Sequence, residues 1–278
     1  VNGFLTIIHL TIHEARRRRI LLAALLGGLA TVLCFGIGIH FVDRDLARHA
    51  DVPLIQRRMI LTTLTMAGLF AVKFLVVMTS VLLPVDTLSG EITSGVMQTL
   101  ASKPIRRSDI VLGKWMAHAL ILAGYVLVVA GGVVLVARLV CGVMPPRVPL
   151  GISLMLLQGL VLLSLSIAGG SRLSTIANGL AVFSLEGIAF VGSWIEQIGT
   201  MVGNDAARYI GTAASLIMPG EAMWQLAEWH MQPPLLRELH MTPFSPASVP
   251  NGAMVLWAVG YLVVTLMVGL RSFARRGL

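Results

Sequence analysis

Six long apolar runs, separated by polar stretches, dominate the chain. They cover about residues 20–42, 60–83, 115–137, 150–168, 176–195 and 253–270. About 20 apolar residues of helix cross about 30 Å of hydrocarbon, and each run approaches or exceeds that length. The pattern predicts an all-α polytopic membrane protein with about six transmembrane helices. Lys73 interrupts the second run, which Pro84 closes, and Glu186 interrupts the fifth. The first run follows Arg16 to Arg19 and is longer than the apolar stretch of about 7–15 residues in a cleaved signal. It is therefore expected to be the first span.

Two of the polar stretches are more than turns. In the first, about residues 89–114, Ile92, Val96, Met97 and Leu100 fall at i, i+4, i+5 and i+8, which is one face of a short helix. Glu91 and Ser94 lie on its polar side, and Glu91 suits the positive end of such a helix. Pro104 breaks the pattern and pushes Lys103 out of the α region. Ser108 is then placed to cap a second helix, leading through Ile110, Val111 and Leu112 into the third run. The result is a helix, a bend and a helix, with basic residues on the bend. A soluble partner could press on it.

The second stretch, about residues 196–252, is too long for a turn. Its mixed segment Tyr209–Leu226 contains Trp224 and is followed by Pro233, Pro234 and Pro243 to Pro250. One or two amphipathic or re-entrant helices are expected, then a proline-rich return, because irregular backbone is tolerated only at the interface or inside protein. Phe4–Ile12 is also amphipathic and is expected along the inner surface.

Composition agrees with this reading. Hydrophobic residues make up 56% and charged residues 12%, with mean hydropathy +0.85, about half the charge of a soluble domain. The net charge of +8 reflects topology, and no nucleic-acid module is visible. With the N-terminus inside, the inner side holds Arg16 to Arg19, Lys103, Arg106, Arg107, Lys114, Arg172, Arg271, Arg275 and Arg276. The outer side holds Arg44, Arg48, Arg57, Arg58, Arg138, Arg147, Arg208 and Arg237. The excess and the dense clusters flanking the first and last runs predict inside termini. Cys34 and Cys141 form no disulfide or metal framework.

Lys73 and Glu186 demand an explanation, since a charge at mid-bilayer costs at least about 2.5 kcal/mol unless paired or hydrated. Both lie near the middle of their runs, on helices of opposite direction. They are expected to form a charge pair, within one subunit or across a dimer, or else to line a water-filled path for a substrate. Catalysis by this chain is not expected, because no Ser/His/Asp group, H-E-x-x-H or paired carboxylate converges at one depth. The chain also lacks a phosphate-binding G-x-x-x-x-G-K-[ST] loop. Met201, Met218, Met223, Met231, Met241, His230 and His240 offer soft donors that could suit copper. They show no ligand spacing, and no metal site is expected.

The stretch running from Glu91-Ile-Thr-Ser-Gly95 through Gln98 to Lys103-Pro104-Ile-Arg106-Arg107 and Gly113-Lys114 resembles the cytoplasmic segment of ABC-2 type transporter permeases. The looser likeness of the whole chain lies in six spans, inside termini and the long segment before the last span. The resemblance implies a single transmembrane domain over residues 1–278 in a bacterial inner membrane. It implies a separate ABC ATPase subunit, which would bind ATP and Mg, and a second permease chain, identical or different. This chain would carry no cofactor. The helix between spans two and three would be a coupling helix seated on the ATPase. Carried over by position, Glu91, Gly95, Gln98, Lys103, Pro104, Arg106 and Arg107 would form or border that contact. The implied function is ATP-driven transport, with export as the expected direction. The alternatives are a standalone secondary transporter or channel, and an ABC-type scaffold or sensor that moves no substrate. No match between residues 1–140 and 141–278 supports the inverted repeats of a secondary transporter.

Overall fold

The computed structural model describes residues 3–17, 19–48, 53–87, 89–90, 106–234, 237 and 248–275. Among these, the helices are α1 Gly3–Arg17, α2 Arg19–Arg48, α3 Leu54–Leu82, α4 Arg107–Cys141 and α5 Val148–Gly170. They continue with α6 Thr175–Val202, α7 Asp205–Ile217, α8 Gly220–Met231 and α9 Gly252–Ala274. Six of them, α2 to α6 and α9, are long and apolar enough to cross a membrane. Each is longer than the apolar run that announces it, because backbone hydrogen bonding continues past the last hydrocarbon-compatible residue. The 35 residues of α4 extend about 52 Å at 1.5 Å per residue, well beyond the hydrocarbon core.

Local signals set several boundaries. Gly142 and Gly203 take the left-handed conformation that ends α4 and α6, with φ of 68° and 74°, a geometry that favours glycine. Ser174, Asn204 and Asn251 cap α6, α7 and α9 by accepting hydrogen bonds from Ala177, Ala207 and Met254. Ser108 does not cap α4 as expected. That helix starts two residues earlier, after an extended Arg106 that makes no side-chain cap, and the Ser108 hydroxyl turns to Asp109.

Successive spans run antiparallel. α2 lies along α4 in the same direction, with Gly28 beside Val129 and Gly132 beside Val32. α3 runs against α4, meeting it through Leu61 and Ala137 at one end and through Thr87 and His118 at the other. α5 reverses again, with Gly159 against Leu122 and the Trp115 indole donating to Ser164. The end of α2 and the start of α3 therefore share one end of the bundle with the α4–α5 and α6–α7 turns. That end is called the far end, and α1, the start of α4 and the end of α9 mark the near end. The main core forms where α3, α4, α5 and α8 meet, around Leu69, Val76, Leu122, Met155 and Trp224.

α1 does more than lie along a surface. It buries Ile7, Thr11 and Ala15 along one stripe and packs on the start of α4. A Cβ at Gly113 would sit 2.7 Å from Ile7 Cγ2 and 3.3 Å from the Phe4 carbonyl, so only glycine permits this approach.

The segment before the last span, expected to hold one or two helices, contains two among the described residues. α7 runs back along α6, fitted by small residues. A Cβ at Gly192 would collide with Ala214, and one at Gly199 would lie 2.5 Å from that of Ala207. After Met218 and Pro219, α8 turns toward the far end and ends with Met231 packed on Gly151. The pair forms a helical hairpin whose tip reaches the middle of the bundle. The proline-rich return largely lies outside the described residues.

Candidate functional site

The hairpin tip delivers a carboxylate to Lys73. Lys73 sits midway along α3 and is 1% exposed. Its Nζ lies 2.7 Å from Oε1 and 2.5 Å from Oε2 of Glu221, in the first turn of α8. Four aromatic rings surround the ammonium: Phe190 at 4.9 Å, Phe70 at 5.2 Å, Phe74 at 5.6 Å and Trp224 at 5.7 Å. Ring faces attract a cation most strongly where water is absent. The cage and the carboxylate thus replace the hydration that Lys73 loses.

Glu186 belongs to the same cluster without being the partner of Lys73 within this chain. It accepts a 2.9 Å hydrogen bond from Gln158 Nε2 of α5. Its carboxylate also crowds the start of α8, where a Cβ at Gly220 would lie 2.8 Å from Glu186 Oε2. That position sets an anionic group at the positive end of a helix. Lys73 and Glu186 line one cleft, but position along a helix does not specify which way each side chain turns. The ion pair formed within the chain is Lys73–Glu221.

Lys73, Glu186 and Glu221 also line a cleft of about 180 Å³, walled by Phe74, Val77, Met78, Phe183 and Phe190. About two turns beyond Glu221, Glu228 is 3% exposed and accepts from Gln232 Nε2 at 2.9 Å. Among the described residues the centre of the bundle therefore holds one ammonium and three carboxyl groups. Glu221 and Glu228 gave no signal in the sequence, because they lie in a short helix of mixed composition outside any apolar run. Met218, Met223 and Met231 are packed into the main core, which accounts for their thioethers as apolar filler.

At the near end, polar side chains tie the helix ends together. Thr175 donates to Asp86 Oδ1 at 3.0 Å and shares a 2.8 Å hydrogen bond with Ser89. Thr87 meets His118 Nε2 at 3.3 Å, and His118 Nδ1 lies 2.7 Å from the Lys114 carbonyl. Arg107 Nη1 donates to the Ala274 carbonyl at 3.1 Å, and Arg172 Nε donates to Ser272 at 2.8 Å. Of the expected ATPase-contact residues, exposed Arg106 and half-buried Arg107 stand at the start of α4. Glu91, Gly95, Gln98, Lys103 and Pro104 lie outside the described residues.

Six apolar helices with internally satisfied backbones, carrying buried charges that face other helices, define a multi-pass membrane protein. The chain belongs to the ABC-2 family, since a family model described as ABC-2 family transporter protein matches residues 6–278. Members of that family are typically non-catalytic permeases that work with an ATPase partner. No curated protein matches the chain.

Proposed function

We propose that this chain is the permease subunit of an ATP-driven exporter in a bacterial inner membrane, with both termini inside. Its near end then faces the cytoplasm. A separate ABC ATPase, holding ATP and Mg, docks on residues 89–114, with Glu91, Gly95, Gln98, Lys103, Pro104, Arg106 and Arg107 in or beside the contact. A second permease chain completes the transporter. The single domain over residues 1–278 couples closure of the ATPase to movement of the spans.

The observation that carries this reading, beside the family, is how the helices flanking the docking segment are anchored. α4 starts at Arg107 and runs unbroken to Cys141. Its first turns bear α1 on Gly113 and the end of α9 on Arg107. On the other flank, α3 carries Lys73 and hence the hairpin. A push on the docking segment therefore loads α4 and α3 as rigid rods. α3 would pass the load to the hairpin tip, in the middle of the bundle.

The test is purification from native membranes in mild detergent, with mass spectrometry of the co-purifying proteins. A stoichiometric soluble subunit bearing a phosphate-binding loop, lost on replacing Glu91 and Arg106 together, is the expected result. A chain that purifies alone and still moves a solute without ATP would overturn the proposal. For direction, solute accumulation in inside-out vesicles on ATP addition is expected.

A further inference from the structure

A second polar cleft lies nearer the far end, between the hairpin and α9. Its volume is about 190 Å³, the space of about six waters at ~30 Å³ each. Glu196 of α6 is the only ionisable side chain among its described lining residues. That carboxylate is buried, at 5% exposure, and accepts one side-chain hydrogen bond, 2.5 Å from Ser248 Oγ. Ser215 of α7 and Gln225 of α8 line the same space at 8% and 9% exposure. Both present polar side chains to the cleft. A buried carboxylate calls for a counter-charge, and the described lining residues supply none. Here one buried carboxylate and two neutral polar side chains converge on one cavity from three helices.

The walls of the cleft are fixed by contacts between its helices. Gly211 lets α7 pass over Glu196, where any Cβ would collide with the Glu196 side chain. Trp257 Nε1 donates to the Leu216 carbonyl at 3.0 Å and fixes α9 to the end of α7. A preformed site loses less ordering entropy on binding.

We propose that this cleft binds a small organic cation. Its primary ammonium meets Glu196, and its hydroxyl or carbonyl group meets Ser215 and Gln225. A short apolar body rests on Leu216, Val249 and Met254, which complete the wall. The same chemistry could arrive as a free amine or as the ethanolamine headgroup of a lipid. The site is read on the isolated full chain, so its failure would leave the ATPase-coupled reading untouched.

The probe is 2-aminoethanol, added to the detergent-solubilised chain and followed by saturation-transfer NMR, with ethylene glycol as the neutral comparison. Mass spectrometry of co-purified phosphatidylethanolamine covers the lipid source. Saturable 2-aminoethanol binding, weakened about tenfold or more by Glu196→Gln and about threefold by Ser215→Ala, places the ligand in the aqueous phase. Phosphatidylethanolamine retained by the wild type and lost by Glu196→Gln places it in the lipid. Should Glu196→Gln elute as an aggregate, Gln225→Leu carries the same comparison. Equal signals from ethylene glycol and 2-aminoethanol would overturn the proposal. So would undiminished binding in a folded variant, or neither form of ligand being bound.

Discussion

Lys73 and Glu221 are 148 positions apart in sequence, yet their ammonium and carboxylate meet at 2.7 Å in the middle of the bundle. The contact joins a spanning helix to the tip of a hairpin that does not span. It is the ionic tie between α3 and α8, and it is sealed by Phe70, Phe74, Phe190 and Trp224.

Breaking that pair on one side leaves a buried charge alone, at a cost of about 3–5 kcal/mol. Lys73→Met and Glu221→Gln are each expected to lower the unfolding temperature in detergent. The reversal Lys73→Glu with Glu221→Lys should recover part of the loss. Reversal of Lys73 with Glu186 should recover less. A stronger rescue from the Glu186 reversal would show that Glu186 is the principal partner.

The hairpin depends on small residues where α6 and α7 touch. Gly192 faces Ala214, with no room for a Cβ between them. Gly192→Leu is expected to cost about 1–3 kcal/mol by overpacking, or to push α7 off α6. Hydrogen exchange across residues 205–217 should accelerate, while α4 keeps its protection. Unchanged exchange in α7 would contradict the close packing.

Gly113 has the corresponding role for α1. Gly113→Val should drive Ile7 and the Phe4 carbonyl away from α4, since the new side chain starts 2.7 Å from Ile7. A cysteine placed at Ile7 is buried in the wild-type background and should resist a water-soluble maleimide. In the Gly113→Val background it should react. Equal labelling in both would argue that α1 does not rest on this glycine.

A pH effect is expected at the far end. Burial, and then the Arg147 and Arg237 guanidiniums, hold His230 below its ordinary value of 6.5. Arg147 Nη1 lies 3.3 Å from His230 Nδ1 and has only protons to offer, so the ring accepts there and is neutral. With the folded value depressed, the contribution is full above about pH 6.5. It is lost as pH falls through the lower folded value. Between pH 7.5 and pH 5, exchange near the end of α8 should rise, and His230→Gln should flatten that response. A wild-type profile without pH dependence would rule out the contact.

Much of the architecture was legible in the chain because hydropathy and length act locally. Each apolar run satisfies its own backbone as a helix, whatever its neighbours do. The six candidate spans and the helices after the fifth follow from such local signals. Helix starts were less legible. Ser108 looked like a cap, but α4 begins at Arg107, whose guanidinium reaches the end of α9. A serine side chain proposes a cap, and packing of the first turn decides whether it is used.

The sequence by itself also determined that Lys73 and Glu186 would need partners, since buried charge is costly wherever it lies. Only the tertiary structure decided who those partners are. Choosing Glu221 required the depth to which α8 is inserted, and the glycine contacts at Gly192, Gly199, Gly211 and Gly220 set that depth. Pairing Glu186 with Gln158 required the rotation of α5 against α6. Depth along a helix is a one-dimensional property written in residue order. Rotation and insertion depend on how separate surfaces interlock, and no stretch of sequence holds both surfaces.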